Sequence, residues 1–205
     1  MLRLLSMSSV VAALLFTIAC PPPGTVEGEG EGEPQGLVIN EIDYDFLLAD
    51  DNNEFIEVLN PTNAAVDLTG LQLVLITGTN ATVYRTIDLA GIVPANGYFV
   101  LHGNLVIPAV GAVTQPLPTN SGGTIQNGAP DAVLLYDNTN NLILDLISYE
   151  GTTADATVDG VTVSFAMAST DAADSDDVLG SLCRVPNASG PFAFCERAAT
   201  PGAAD

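Results

Sequence analysis

Short runs in which apolar and polar residues alternate follow one another from Leu37 toward the end of the chain, each closed by turn residues. Alternation with a period of two predicts β-strands that are half buried. The runs lie at residues 37–44, 54–60, 71–77, 83–89, 98–103, 132–137, 141–149 and 161–166. No segment after residue 20 sustains the period of 3.6 that an amphipathic helix requires. This succession of strands predicts a β-sandwich or barrel, and excludes a parallel α/β sheet.

Two connections between these runs carry a turn signal of their own. Residues 138–141, Asn-Thr-Asn-Asn, predict a hairpin between two strands. Asp159-Gly160 is a two-residue turn of the primed type, in which both residues take a positive φ. Both signals favour antiparallel neighbours.

The first twenty residues form a segment of a different kind. A single Arg3 precedes an apolar run over residues 4–18, which leads into Thr17-Ile18-Ala19-Cys20. The run is shorter than the ~20 residues that span a bilayer as a helix. The pattern resembles a bacterial lipoprotein signal, in which the chain is cut before a cysteine that carries lipid. It predicts a signal peptide over residues 1–19, lipidation of Cys20, and a location in the cell envelope of a bacterium, at the outer membrane or cell surface.

Two other interpretations of this segment stay open. An ordinary secretory signal, cut nearby, would leave Cys20 as a free thiol, and an uncut segment would be retained as a membrane helix. Residues 20–36 then predict a lipid-anchored flexible linker, because three prolines are followed by glutamates alternating with glycine. Like charges two residues apart repel, and glycine contributes no packing, so we expect an extended and solvated segment.

The net charge of the chain limits the kinds of partner that it can bind. Four arginines and no lysine stand against 25 acidic residues, for a formal net charge of −21. Such a surface repels nucleic acid and anionic lipid, which excludes nucleic-acid binding, and attracts divalent cations and basic partners. The sequence leaves the oligomeric state open.

The three cysteines divide naturally into one and two. An odd number is awkward in an oxidising compartment, and lipidation of Cys20 would leave Cys183 and Cys195 as a pair. We expect these two to form a disulfide. A metal site is the alternative, but two thiols and one distant histidine are a poor ligand set for zinc.

Acidic residues near the first predicted strand form a candidate calcium site, since Ca²⁺ takes six to eight oxygen ligands from a loop that can wrap it. The candidate ligands are Asp43, Asp45, Asp50, Asp51 and Glu54. A solvated acidic loop is the alternative, because the spacing differs from that of an EF-hand. A second acidic group is predicted to be a mobile loop: Asp171, Asp174, Asp176 and Asp177.

Two glutamates fall inside predicted strands. Strand alternation places Glu57 on the same face as Phe55 and Leu59, which predicts a partly buried carboxylate with a fixed partner, and Glu41 is a similar case. We expect structural roles for both, with hydrogen bonds from backbone or arginine, although a ligand or acid role stays open. His102 ends a predicted strand and is expected at the surface.

Read together, three long segments resemble a lamin tail domain. They are VINEIDYD at 38–45, NEFIEVLNPTNAAVDLTGLQL at 53–73 and LAGIVPANGYFVLHG at 89–103, and NGAPDAVLLYD at 127–137 continues the likeness. The closing Ser181, Arg184 and Pro186, followed by Thr200-Pro201-Gly202, also fit that family. The resemblance covers nearly all of 37–205 and implies an immunoglobulin-like antiparallel β-sandwich. Leu71 stands where the family often has tryptophan.

The resemblance implies a non-catalytic domain, and the sequence itself lacks a Gly-x-Ser-x-Gly nucleophile elbow and any lysine for Schiff-base chemistry. We therefore expect a surface-tethered module that binds or scaffolds an envelope or extracellular macromolecule. A Ca²⁺-dependent adhesion or stability module is one alternative. A secreted hydrolase of unrecognised type is the other.

Overall fold

The fold is known from a computed structural model, which describes residues 36–45, 51–78, 80–118, 125–174, 180–185, 190–195 and 199–204, without the side chains of Asp51 and Phe194. Residues 33–205 form one compact unit. The predicted signal peptide, Cys20 and nearly all of the predicted linker lie outside the described residues. In the part described, no helix has the length and apolar character needed to cross a membrane.

The described residues form fourteen strands and a short 3-10 helix, Asp51–Asn53. The strands are β1 (Val38–Asp43), β2 (Phe55–Leu59), β3 (Val66–Asp67), β4 (Leu71–Thr77), β5 (Thr82–Asp88), β6 (Ile92–Val93), β7 (Tyr98–His102), β8 (Val113–Pro116), β9 (Asp131–Asp137), β10 (Leu142–Tyr149), β11 (Ala156–Val158), β12 (Val161–Val163), β13 (Ser181–Arg184) and β14 (Phe192–Cys195).

Two sheets make up the body of the domain. One has six strands in the order β14-β13-β1-β2-β7-β8, and the other has four in the order β10-β9-β4-β5. Neighbouring strands are antiparallel except β7 and β8, which run parallel. This all-β, two-sheet architecture is that of an immunoglobulin-like β-sandwich and confirms the predicted fold class.

The main core lies between the sheets. Ile42 pairs with Ile56, and Ile56 pairs with Leu101, so one face of the six-stranded sheet presents a row of buried aliphatic side chains. A β-bulge between Ile39 and Glu41 adds one residue to β1. Because of that extra residue, Ile39 and Ile42 both join the core although they are three positions apart.

The two central strands of the four-stranded sheet, β4 and β9, are buried on the second face of the sheet as well. Val74 and Leu134 pack there in a smaller core that includes Val163 and Phe165, from and after the hairpin of β11 and β12. Burial on both faces explains why β4 and β9 are almost continuously apolar, since neither strand has a solvent side.

The predicted turns are confirmed. Residues 138–141 connect β9 to β10, and Asp159 and Gly160 connect β11 to β12 with φ values of 47° and 82°. Asparagine, aspartate and glycine tolerate this left-handed region better than other residues, which is why the turn signal was readable.

Candidate functional site

Two buried glutamates lie side by side on the face of the six-stranded sheet that points away from the main core. Glu41 on β1 is paired with Glu57 on β2, and both are fully buried. Like charges directly opposite one another across strands repel. Each carboxylate therefore needs strong hydrogen-bond donors to compensate its burial.

The C-terminal segment supplies many of these donors. The backbone N–H and the hydroxyl of Thr200 donate to the Glu41 carboxylate, and the backbone N–H of Gly202 donates to Glu57 Oε2 at 2.6 Å. The hydroxyl of Ser181 on β13 also donates to Glu41, and the side-chain amide of Asn40 donates to Glu57 Oε1 at 2.8 Å. We call residues 200–202 the C-terminal latch.

The hydrogen bonds from the latch explain how both glutamates can be buried. Hydrogen bonds from N–H groups to a carboxylate are charge-assisted and stronger than those between neutral groups, so they compensate the desolvation of each carboxylate. The predicted structural role of Glu57 and Glu41 is confirmed. The family resemblance includes Thr200-Pro201-Gly202, but the sequence does not show that this tripeptide folds back on β1 and β2.

A second buried acidic group lies at the end of β1. Asp43 is buried and forms a side-chain hydrogen bond with Asp174, which is also buried. Burial, together with the negative charge of Asp174 and of the nearby Glu41 and Glu54, raises the pKa of Asp43 well above its usual value. The pair is therefore held by a shared proton near neutral pH.

Tyr44 fixes this pair in place. Its ring stacks on Tyr149 with a centroid distance of 4.3 Å, and its hydroxyl accepts a hydrogen bond from the backbone N–H of Asp174 at 2.7 Å. The same hydroxyl donates to Glu150 Oε1. Burial raises the pKa of Tyr44, so its hydroxyl stays protonated. The prediction that Asp174 belongs to a mobile acidic loop is therefore wrong, because its side chain is buried and its backbone is held by Tyr44. The sequence alone does not show which carboxyl group of a loop will be buried.

Of the tentative calcium ligands that the structure describes, Asp43 and Glu54 lie near one another, since the charge of Glu54 contributes to the raised pKa of Asp43. Glu54 is buried and accepts a hydrogen bond from the backbone of Ile125, and Asp45 accepts one from Asn127. Asp50 and the side chain of Asp51 lie outside the described residues. Within them, no group of three or more acidic, histidine or cysteine side chains is arranged to hold a metal ion. The calcium site stays a prediction.

Comparison with known families addresses the identity of this fold. Residues 32–151 match the family model of the Lamin Tail Domain, which is more than half of the chain. The chain belongs to the lamin tail domain family. A search of curated proteins finds no match. The matched segment ends two residues after β10, yet β13 pairs with β1, so the chain beyond the match completes the six-stranded sheet of this lamin tail domain.

Arg184 on β13 ties the two sheets of the domain together. Its Nη2 donates to both oxygens of Asp145 on β10, at 2.6 and 2.8 Å, and its Nε donates to the carbonyl of Ile39 on β1. Nη1 donates to the carbonyl of Gly190, and the guanidinium lies 4.6 Å from the centroid of the Phe192 ring. Sequence reasoning placed Arg184 in the family motif but did not find Asp145, because a contact between distant strands leaves no local signal.

A cavity of about 170 Å³ lies beside this ion pair, lined in part by Met167, Ser169 and Phe192. Each of the three guanidinium nitrogens of Arg184 already donates to a protein oxygen. The arrangement is therefore suited to holding strands together, and offers no free cationic group to an anionic ligand.

The remaining predicted residues have simple surroundings. Cys183 and Cys195 form the predicted disulfide, which joins β13 to β14 near the edge of the six-stranded sheet. His102 is half buried at the end of β7, with Nδ1 2.8 Å from the carbonyl of Gly103. Cys20, the predicted lipidation site, lies outside the described residues.

Proposed function

We propose that this protein is a lipid-tethered, non-catalytic lamin tail domain that binds or scaffolds a macromolecular partner at the cell envelope. The observation that carries the proposal is membership of the lamin tail domain family, whose immunoglobulin-like fold typically serves binding and not catalysis. The tether is inferred from the lipoprotein-like leader ending at Cys20 and the Gly/Glu-rich segment that follows.

The polar groups of the sandwich support a non-catalytic role. Glu41 and Glu57 are occupied by backbone donors, and Arg184 is occupied by Asp145. Groups that are buried and already hydrogen-bonded stabilise a fold, whereas a catalytic group must reach its substrate. We infer that partners meet the outer surface of the domain.

The partner is expected to be a protein or matrix component, and not nucleic acid, because the net charge is strongly negative. Residues 33–205, which form a compact unit, would be immobilised and incubated with solubilised envelope extract. Quantitative mass spectrometry would then identify what is retained. A resin bearing carboxylates at matched charge density is the control, because it captures basic proteins by charge alone and does not have the surface of the domain.

A defined protein or matrix component retained by the domain and not by the carboxylate resin would support the proposal. Identical sets on both supports would contradict it, since binding would then reflect charge alone.

Calcium dependence is tested in the same format. The calcium hypothesis requires retention or melting temperature to rise in millimolar Ca²⁺ relative to a chelator, and to do so less in Asp45→Asn.

A further inference from the structure

The loop between β7 and β8, residues 103–112, exposes three large aliphatic side chains. Leu105, Ile107 and Val110 have exposed fractions of 57%, 89% and 107%. Single apolar residues are common at protein surfaces, but three within six positions of one loop mark a contact surface. We call residues 103–112 the aliphatic loop.

Hydrogen bonds to the body of the domain hold this loop in shape. The N–H of Leu105 donates to the carbonyl of Asn52 at 2.9 Å, and the N–H of Ala109 donates to the carbonyl of Pro201 in the C-terminal latch at 2.7 Å. A turn within the loop is closed by Ala112, whose N–H donates to the carbonyl of Ala109. Because the two halves of the loop are hydrogen-bonded to separate parts of the sandwich, its backbone has a fixed conformation and its aliphatic side chains stay exposed.

The charge pattern along this part of the sequence indicates what the loop fits. The span 89–130 contains no Asp, Glu, Lys or Arg, although the chain carries 29 charged side chains in total, 4 basic and 25 acidic. A second copy of a chain with net charge −21 would be repelled on close approach. A basic partner would be drawn to the acidic side chains elsewhere in the chain, and not to this uncharged stretch. An uncharged aliphatic surface is complementary to a zwitterionic lipid interface, which accepts apolar side chains and exerts no net field.

We propose that the aliphatic loop inserts into the headgroup region of a zwitterionic bilayer. The contact is made by Leu105, Ile107 and Val110, and it does not require the lipid on Cys20. It holds one end of the sandwich, the end with the β7–β8 connection, against the membrane. Together with the predicted tether it would orient the domain, since a single weak membrane signal gives marginal binding and two give stable binding.

The test uses residues 33–205, which form a compact unit and lack both Cys20 and the apolar run at residues 4–18. The protein would be mixed with phosphatidylcholine vesicles and the bound fraction measured by flotation. The variant Leu105→Ser/Ile107→Ser/Val110→Ser removes the aliphatic surface at exposed positions, and is expected to lower the partition coefficient about tenfold or more.

A matched variant controls for hydrophobicity in general. Leu142→Ser/Met167→Ser/Val185→Ser removes three side chains that are each more than half exposed elsewhere on the domain, and should bind vesicles as the unchanged domain does. Vesicles containing anionic lipid should bind less protein than phosphatidylcholine alone, because the domain is acidic.

Any of four results would overturn the proposal. The first is no flotation of the unchanged domain with phosphatidylcholine. The second is equal flotation of the loop variant, and the third is loss of binding in both triple variants. A dimer seen by sedimentation that dissociates only in the loop variant would also overturn it, because the occupant of the loop would then be a second copy.

Discussion

Replacement of Glu57 tests the C-terminal latch most sharply. The Glu57 carboxylate accepts one hydrogen bond from the Asn40 amide and one from the Gly202 N–H, and it is fully buried. Each charge-assisted hydrogen bond contributes about 1.5–3 kcal/mol to stability. Glu57→Ala removes the acceptor of both hydrogen bonds, one from the buried Asn40 amide and one from the half-buried Gly202 N–H, so we expect a loss of about 3–5 kcal/mol in the free energy of unfolding.

Glu57→Gln separates hydrogen bonding from charge. The amide keeps one acceptor oxygen, but its NH₂ faces one of the two donors, so a loss of about 1–3 kcal/mol is expected. Removal of the charge also relieves the repulsion from Glu41, a gain of up to about 1 kcal/mol for a cross-strand pair. The lost hydrogen bond is the larger of the two effects.

The assay is urea unfolding at pH 7, followed by circular dichroism because the chain has no tryptophan. Asp155→Asn, which removes one negative charge at an exposed position, should change stability by less than about 0.5 kcal/mol. Addition of Asn40→Asp to Glu57→Gln reverses donor and acceptor and should recover about 1 kcal/mol relative to the sum of the single changes. A Glu57→Gln domain as stable as the unchanged one, or more stable, would refute the latch, because repulsion would then outweigh the hydrogen bonds.

Three further changes test other parts of the structure. The native pKa of Asp43, about 9, lies above that of the unfolded chain, 3.8, so the native state binds more protons between these values and stability falls as pH rises through that window. Asp43→Asn should flatten this slope and stabilise the domain at pH 8, as thermal melts from pH 5 to 9 would show, and an unchanged slope would contradict the assignment. Arg184→Lys retains the charge but loses the fork to Asp145, so chemical unfolding should show a loss of about 1–3 kcal/mol, whereas no loss would show that the fork is unimportant. Replacement of Cys183 and Cys195 together by serine should destabilise the domain by about 3 kcal/mol, and a stability equal to that of the oxidised protein would argue against a stabilising disulfide.

Local patterns predicted much of the sandwich. The run at 71–77 coincides with β4, and most other runs lie within two residues of an observed strand, because alternation and turn residues are local signals. The strands that were not predicted are short, as in β3 and β6, each of two residues. Strands of that length are specified by the neighbours they pair with and leave little pattern in the sequence.

The polar contacts were predicted less completely, for a physical reason. Alternation showed that Glu57 faces apolar neighbours and must have a partner. It could not show that Gly202 is that partner, because the two residues are separated by 145 positions. Asp174 was predicted to be solvated and is buried, because an Asp-rich loop has the composition of a solvated segment. Its burial results from contacts with Tyr44 and Asp43, which lie far from it in the sequence.

Mass spectrometry of the N-terminus tests whether the domain is tethered to the membrane through Cys20. The full chain would be expressed in a bacterial host, extracted from the membrane fraction and digested, alongside a Cys20→Ser variant. We expect an N-terminal peptide that begins at Cys20 and carries acyl chains, and no acylated peptide from the variant. An N-terminus at another residue, or an unmodified Cys20, would show that the domain is not tethered through this cysteine.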